Sequence, residues 1–312
     1  MKGKKVVFLL LAFAAAALSW RSSQSHASFQ SSSGRYIAIE RQTSTGSHVL
    51  LYYIYNLDIK PESKLVAALA NAQSPAVNAA GTMIAFHSLV GNHADIFLHD
   101  VVSGTTRNVT NSPGADEKFP SLSGDGRFLS YSVYYPHGFV VYDLQGQRVV
   151  LHIRGSTLPV ISCLDGNGSH VAHHWAAPLG PRNYVVLREV ATGRIVYSFA
   201  LPKGHARQPY PNDPSFSQPG GSDVPDLIAH FQVGKDINDQ VRHGIYVRLV
   251  ANNSDELISE GDAQHPAISL DGRYVAYAKD GDIFLFDRVS RSPVNLPAGL
   301  NTQDFETWPS IR

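Results

Sequence analysis

Short apolar and alternating stretches, five to nine residues long and separated by Gly, Asp, Asn and Pro, run through the chain from Tyr36 onward. Such stretches predict β-strands and tight turns, and no long window carries the 3.6-residue period of an amphipathic helix. One phrase recurs. "FPSLSGDGRFLSYS" (Phe119 to Ser132) returns as "HPAISLDGRYVAYA" (His265 to Ala278) and as "SPAVNAAGTMIAFH" (Ser74 to His87). Looser copies with extra turn residues run from Leu158 to Trp175 and from Asp213 to Phe231, and a truncated one, "SSSGRYIAIE", covers Ser31 to Glu40. The strand centres Ile37, Ile84, Leu129, Val171, Ile228 and Val275 are spaced by 47, 45, 42, 57 and 47 residues.

Each unit continues alike. A strand ending near Asp follows, as in "DIFLHD" from Asp95, "GFVVYD" from Gly138 and "DIFLFD" from Asp282, then a short fourth strand such as Thr106 to Thr110 or Ser292 to Leu296. Four strands in about 45 residues is the size of one β-propeller blade. The truncated first unit lacks its innermost strand, and the chain ends in "WPSIR", Trp308 to Arg312. Joining "WPSI" to "SSSGRYIAIE" restores the phrase at a spacing of 43 residues. The predicted fold is therefore all-β: a six-bladed β-propeller of four-stranded blades, closed by the C-terminal strand joining the N-terminal blade, which removes open sheet edges. Within each repeat, Asp-Gly predicts the turn, and alternation places the first and third residues of Leu129-Ser130-Tyr131 on one face and the small residue on the other.

The phrases resemble the repeats of TolB-type propellers, whose typical unit is P-S-F-S-P-D-G-K/R, then I-A-F, then I-Y-V-x-D. The matching residues are Pro120-Ser121-Leu122-Ser123 with Asp125-Gly126-Arg127, Pro266-Ala267-Ile268-Ser269 with Asp271-Gly272-Arg273, and Pro214-Ser215-Phe216-Ser217. The resemblance implies a place among periplasmic TolB of the Tol-Pal system, which binds the lipoprotein Pal over its propeller, propeller parts of prolyl-oligopeptidase-like proteases, and some sugar-cleaving enzymes. TolB also carries an N-terminal α/β domain. Here a few residues separate Ala27 from the first blade, so a propeller alone is expected.

The N-terminus sets the compartment. Lys2, Lys4 and Lys5, the apolar run Val6 to Leu18 and Ser25-His26-Ala27 read as a secretory signal, residues 1–27, leaving the propeller at 28–312. That apolar run is too short to span a bilayer. The mature protein is expected outside the cytoplasm, in the periplasm or secreted, as a monomer. Cys163, the single cysteine, offers neither an intrachain disulfide nor a lipid-attachment site. Without the signal, 22 basic residues face 26 acidic ones, a balance that argues against nucleic acid as a partner. A 43% hydrophobic content suffices for a large core. Three Asn-x-Ser/Thr patterns, at Asn108, Asn167 and Asn252, carry no meaning in a bacterial periplasm.

Candidate chemistry lies in the segments before the repeated prolines, which surround one channel mouth in a propeller. Gln73, Asp116, Glu117, Lys118, Phe119, Tyr210, Gln264, His265, Glu306 and Trp308 are the candidate ligand-binding residues, an acidic, amide and aromatic set suited to a polar partner with aromatic anchors. The insert Gln232 to Gly244 is placed to arch over the same mouth. His173 and His230 occupy matching strand positions of adjacent blades, and packed core imidazoles are expected there rather than a metal site. The sequence holds no G-x-S-x-G, H-E-x-x-H, P-loop or C-x-x-C pattern. No cofactor and no catalytic residue is assigned. A non-catalytic protein-binding propeller, with an envelope or secreted partner, Pal-like in the nearest case, is the first reading. A carbohydrate-active hydrolase or lyase with its site in the channel, using acids such as Asp116, Asp262 or Asp304 or histidines such as His173, stays open beside it, as does a repeat scaffold without a fixed ligand.

Overall fold

The computed structural model describes residues 35–58, 60–154, 160–176, 183–201, 215–217, 226–235, 241–297 and 299–312. The expected signal and Tyr210 lie outside the described residues.

Blade one holds β1 (Arg35–Thr43), β2 (Gly46–Tyr55) and β3 (Glu62–Ala70). Blade two holds β4 (Gln73–Val77), β5 (Met83–Val90), β6 (His93–Asp100) and β7 (Thr105–Asn108); blade three holds β8 (Asp116–Leu122), β9 (Phe128–Tyr134), β10 (Gly138–Asp143) and β11 (Arg148–Arg154). Blade four holds β12 (Ser162–Leu164), β13 (His170–Ala176), β14 (Asn183–Glu189) and β15 (Ile195–Ala200); blade five holds β16 (Ser215–Phe216), β17 (Leu227–Lys235), β18 (Val241–Leu249) and β19 (Ser254–Glu260). Blade six holds β20 (Gln264–Ile268), β21 (Tyr274–Lys279), β22 (Asp282–Asp287) and β23 (Ser292–Val294), and β24 (Phe305–Ile311) returns to blade one. Its sheet runs β24-β1-β2-β3, with Ile311 opposite Ile37 and Ser310 opposite Ala38. The join expected from the sequence is thus made, and the six sheets form a closed six-bladed propeller.

Six apolar clusters follow the ring, one between each pair of consecutive blades. Ile84 and Phe86 of blade two face Val49 and Leu51 of blade one, whereas Ala85 faces Leu129 and Tyr131 of blade three. The same division sets Val275 and Tyr277 against blade five and Ala276 against Ile37 and Ile39 of blade one. A bulky pair facing back and a small residue facing forward, repeated six times, lets each sheet approach the next closely. The strand triplet of the repeat is this packing rule written in sequence.

The turns explain the rest of the phrase. Gly126 sits at φ +74°, and a Cβ there would meet Met83 of the preceding blade. Asp125 Oδ1 accepts Arg127 N at 2.9 Å and Ser123 Oγ accepts Phe128 N at 2.9 Å. Arg127 then reaches Asp143 at the end of the third strand, Nη2 to Oδ2 at 2.9 Å, and Arg273 holds Asp287 at 2.7 Å in the same way. The terminal Asp of "VVYD" and "FLFD" is therefore the clamp between turn and third strand.

The insert from Gln232 to Gly244 continues the β17–β18 hairpin, paired as far as Lys235 opposite Val241. Its residues 236–240 lie outside the described residues.

Candidate functional site

The innermost strand of each blade borders the central channel. Among the described residues, four of these strands bulge at the repeated proline: pairing shifts between Gln73 and Ala76, Lys118 and Ser121, Gln264 and Ala267, and Thr307 and Ser310. The residue before each proline takes a left-handed backbone, Ser74 at φ +48°, Phe119 at +54°, His265 at +52° and Trp308 at +49°. That conformation costs of order 1–3 kcal/mol at a non-glycine residue and is held by surrounding structure. At Ser74 the hold is visible: its N–H donates to Glu40 Oε2 at 2.8 Å. Segments expected as loops, Asp116 to Phe119 among them, consequently lie inside strands, because the bulge carries pairing past the proline instead of ending it.

The bulges aim their side chains at the axis. His265 stacks on Trp308 with centroids 3.7 Å apart, and Trp308 stacks on Phe119 at 5.0 Å. These rings come from blades six, one and three; Ser74 occupies the matching place in blade two, and its small side chain leaves them room to meet. The row continues outward from Phe119 to Tyr134 at 6.5 Å, to His137 at 5.6 Å and to Tyr135 at 4.9 Å. Tyr135, 81% exposed, ends it on the β9–β10 hairpin. His87 meets Phe119 edge-on at 5.7 Å, and burial, followed by the charge of Lys118, draws its pKa down to about 4.

The other sequence candidates divide. Gln73 donates from Nε2 to Ser47 Oγ at 3.0 Å, and Asp116 Oδ1 accepts Ala94 N at 2.7 Å from the hairpin of the preceding blade. Lys118 pairs with Asp116 at 3.5 Å and lies over the Tyr134 ring at 5.2 Å. Glu306 is fully buried, accepting Arg41 Nε at 2.8 Å and Thr302 Oγ1 at 2.7 Å. Glu117 is buried against Ser112 Oγ, and desolvation raises its pKa. Gln264 is exposed beside His265. Phe119, His265 and Trp308 thus meet in one stack, Lys118 and Gln264 flank it, and Gln73, Asp116, Glu117 and Glu306 hydrogen-bond within or between strand ends.

His173 and His230 do not converge. His173 packs on Phe139 of blade three at 4.9 Å and its Nε2 accepts Arg188 Nε at 3.0 Å; His230 packs on Phe199 of blade four at 5.0 Å beside Asp255.

Beneath the aromatic row the channel is lined from all six innermost strands. Ser74, Ser121, Cys163, Ser215, Ala267 and Ser310 contribute, with Arg312 below them, and the described lining contains no Asp or Glu side chain. The hydroxyls alternate around the ring. Ser310 Oγ accepts Val77 N at 3.2 Å, Ser121 Oγ accepts Leu164 N at 3.0 Å and Ser215 Oγ accepts Ile268 N at 3.0 Å, each from an odd blade to the next even one. Sequence reasoning missed Tyr134, Tyr135, His137, Arg312 and this serine set.

An aromatic row thus crosses the mouth of the six-bladed ring. The comparisons agree on the fold. TolB from Acinetobacter baumannii superposes with a TM-score of 0.65 over 89% of this chain at 17% identity; the chain spans 66% of that protein's length. The propeller in the structure of a nidogen/laminin complex gives 0.58 over 89% of this chain and 98% of the other at 12% identity. Hydrazine synthase from Kuenenia stuttgartiensis gives 0.52 over 80% of this chain and 75% of the other at 14% identity. These likenesses establish the TolB-like propeller architecture. No family model and no curated protein matches the sequence. No helix among the described residues is long and apolar enough to cross a membrane.

Proposed function

We propose that this chain is a non-catalytic, extracytoplasmic propeller that binds a protein partner over the channel mouth carrying Phe119, Trp308 and His265, with residues 1–27 acting as its secretory signal. The observation that supports this is the aromatic row running from the channel to exposed Tyr135. Phe305, 57% exposed, and Leu89, 70% exposed, flank the same end: Phe305 lies beside Gly281 of the β21–β22 turn, and Leu89 opens the β5–β6 turn. Aromatic and aliphatic side chains held on strands, with polar Lys118 and Gln264 around them, suit a protein interface whose anchors lose little freedom on binding. An envelope protein of the Pal-like lipoprotein class is the partner that the TolB likeness suggests.

Binding of the soluble domain of such a lipoprotein, measured by surface plasmon resonance, tests the reading. Tyr135→Ala and Phe305→Ala should each weaken it at least tenfold and leave the melting temperature unchanged. Failure of the wild-type chain to retain any envelope protein, or equal retention by both variants, would overturn it.

A further inference from the structure

Along β24 and the residue that follows it, Trp308, Ser310 and Arg312 come at alternate positions, and all three line the channel. Arg312 is only 8% exposed. Its Nη2 donates to the Leu122 carbonyl of blade three at 3.0 Å, its Nε meets no acceptor, and among the described residues no Asp or Glu side chain pairs with it. A guanidinium does not shed its proton at any ordinary pH. A largely buried guanidinium whose Nε lacks an acceptor is stabilised by a counter-ion.

The wall around Arg312 supplies further donors. Ser310, Ser121 and Ser215 each use their oxygen to accept a backbone N–H. Each hydroxyl hydrogen is then left to donate, and the only acceptor of Ser121 is the weak one of Cys163 Sγ at 3.6 Å. The channel volume open to the centre of a water molecule is 80 Å³. At roughly 10–15 Å³ for each water, that admits a group of about six non-hydrogen atoms. Between the serines and the aromatic row lie Pro75, Pro120, Pro266 and Pro309, an apolar belt.

From this geometry we infer that the channel is a binding site for a small organic carboxylate. Its two oxygens meet the planar fork of Arg312 and the serine hydroxyls, and its short hydrocarbon tail packs in the proline belt beneath Trp308. A phosphate dianion fits less well, because Arg312 is the one cation in the described lining and a second negative charge would go uncompensated. The site lies beneath the mouth surface and shares Trp308 with it, but binding of a carboxylate there does not depend on a protein partner.

Isothermal titration of the full chain at constant ionic strength and neutral pH tests the inference, with butyrate, its neutral counterpart butyramide, phosphate and chloride as ligands. The expected result is saturable binding of one butyrate, at least tenfold tighter than chloride or phosphate, and no heat from butyramide. Arg312→Gln should abolish it and Arg312→Lys weaken it about tenfold. Should Arg312→Gln fail to fold, the wild-type melting temperature decides: it should rise with butyrate and not with butyramide. Equal response to acid and amide, tighter binding of phosphate, or undiminished butyrate binding by a folded Arg312→Gln chain would each overturn the assignment.

Discussion

Ser121 Oγ accepts the backbone N–H of Leu164 across the boundary between blades three and four at 3.0 Å. The innermost strand of a propeller has no neighbour on its channel side, so its outward N–H groups need other acceptors. Ser310 and Ser215 do the same for Val77 and Ile268, and the even blades carry Ala76, Cys163 and Ala267 at the matching position. The six-bladed ring therefore has a threefold pattern of inter-blade caps at its centre.

Removing one cap strands a buried donor. Ser121→Ala should lower unfolding free energy by about 1–3 kcal/mol in urea titration, whereas Ser290→Ala, at an exposed turn, should stay within about 0.5 kcal/mol of the parent. Indistinguishable midpoints for the two would remove the capping role.

Stability should fall with acid in a window set by buried histidine. His87 has a folded pKa of about 4 against an ordinary 6.5, so between those values the unfolded chain takes up a proton that the fold refuses. Its contribution is complete above pH 6.5, declines as pH drops, and amounts to a loss of about 3 kcal/mol at pH 4. His173, held down to about 3 chiefly by burial, adds to the same limb. His87→Phe should flatten the fall between pH 6.5 and 4.5; a melting profile with the wild-type slope would contradict the assignment.

A second acid limb belongs to the turn clamps. Hydrogen bonds from Arg127, then from Gly146 N, hold the Asp143 carboxyl down at about 2. Its stabilising effect is present above the ordinary Asp range and is lost as pH falls toward 2. Asp143→Asn should remove that limb and leave the histidine limb intact, as read from melts between pH 7 and 2.

Ring closure depends on a buried side chain at the join. Ile311 is 1% exposed and packs with Ile37 of blade one and Ala276 and Ile283 of blade six. Ile311→Ala should cost about 2–4 kcal/mol by denaturant titration, the range for a truncated core aliphatic. A loss under about 0.5 kcal/mol would show that the last strand contributes little to holding the ring.

The blades, their number and the closing strand were legible because a repeated packing rule leaves a repeated phrase, and "WPSI" lacked a partner anywhere but at Ser31. The Ser/Ala alternation after the prolines was also on display, at Ser121, Ser215 and Ser310 against Ala76 and Ala267, but its meaning needs to be seen across blades. The residue before a proline is expected to be extended, and Phe119 and Trp308 are not, because the bulge overrides the local preference. Their contact joins blades one and three over a small Ser74, a coincidence of three distant segments that no spacing announces. Glu117 and Glu306, placed at the mouth by composition, lie buried in hydrogen bonds to Ser112 and to Arg41 and Thr302, because burial decides what a carboxylate can touch and composition does not.

Because β24 completes the sheet begun by β1, the earliest blade to leave the ribosome is the last to be finished. Until Phe305–Ile311 arrives, the strand Arg35–Thr43 presents an unpaired edge, with Ile37 and Ile39 uncovered by blade six. A chain interrupted during synthesis would carry a sticky half-built sheet at its front, so the first blade can be completed only once the whole polypeptide is present.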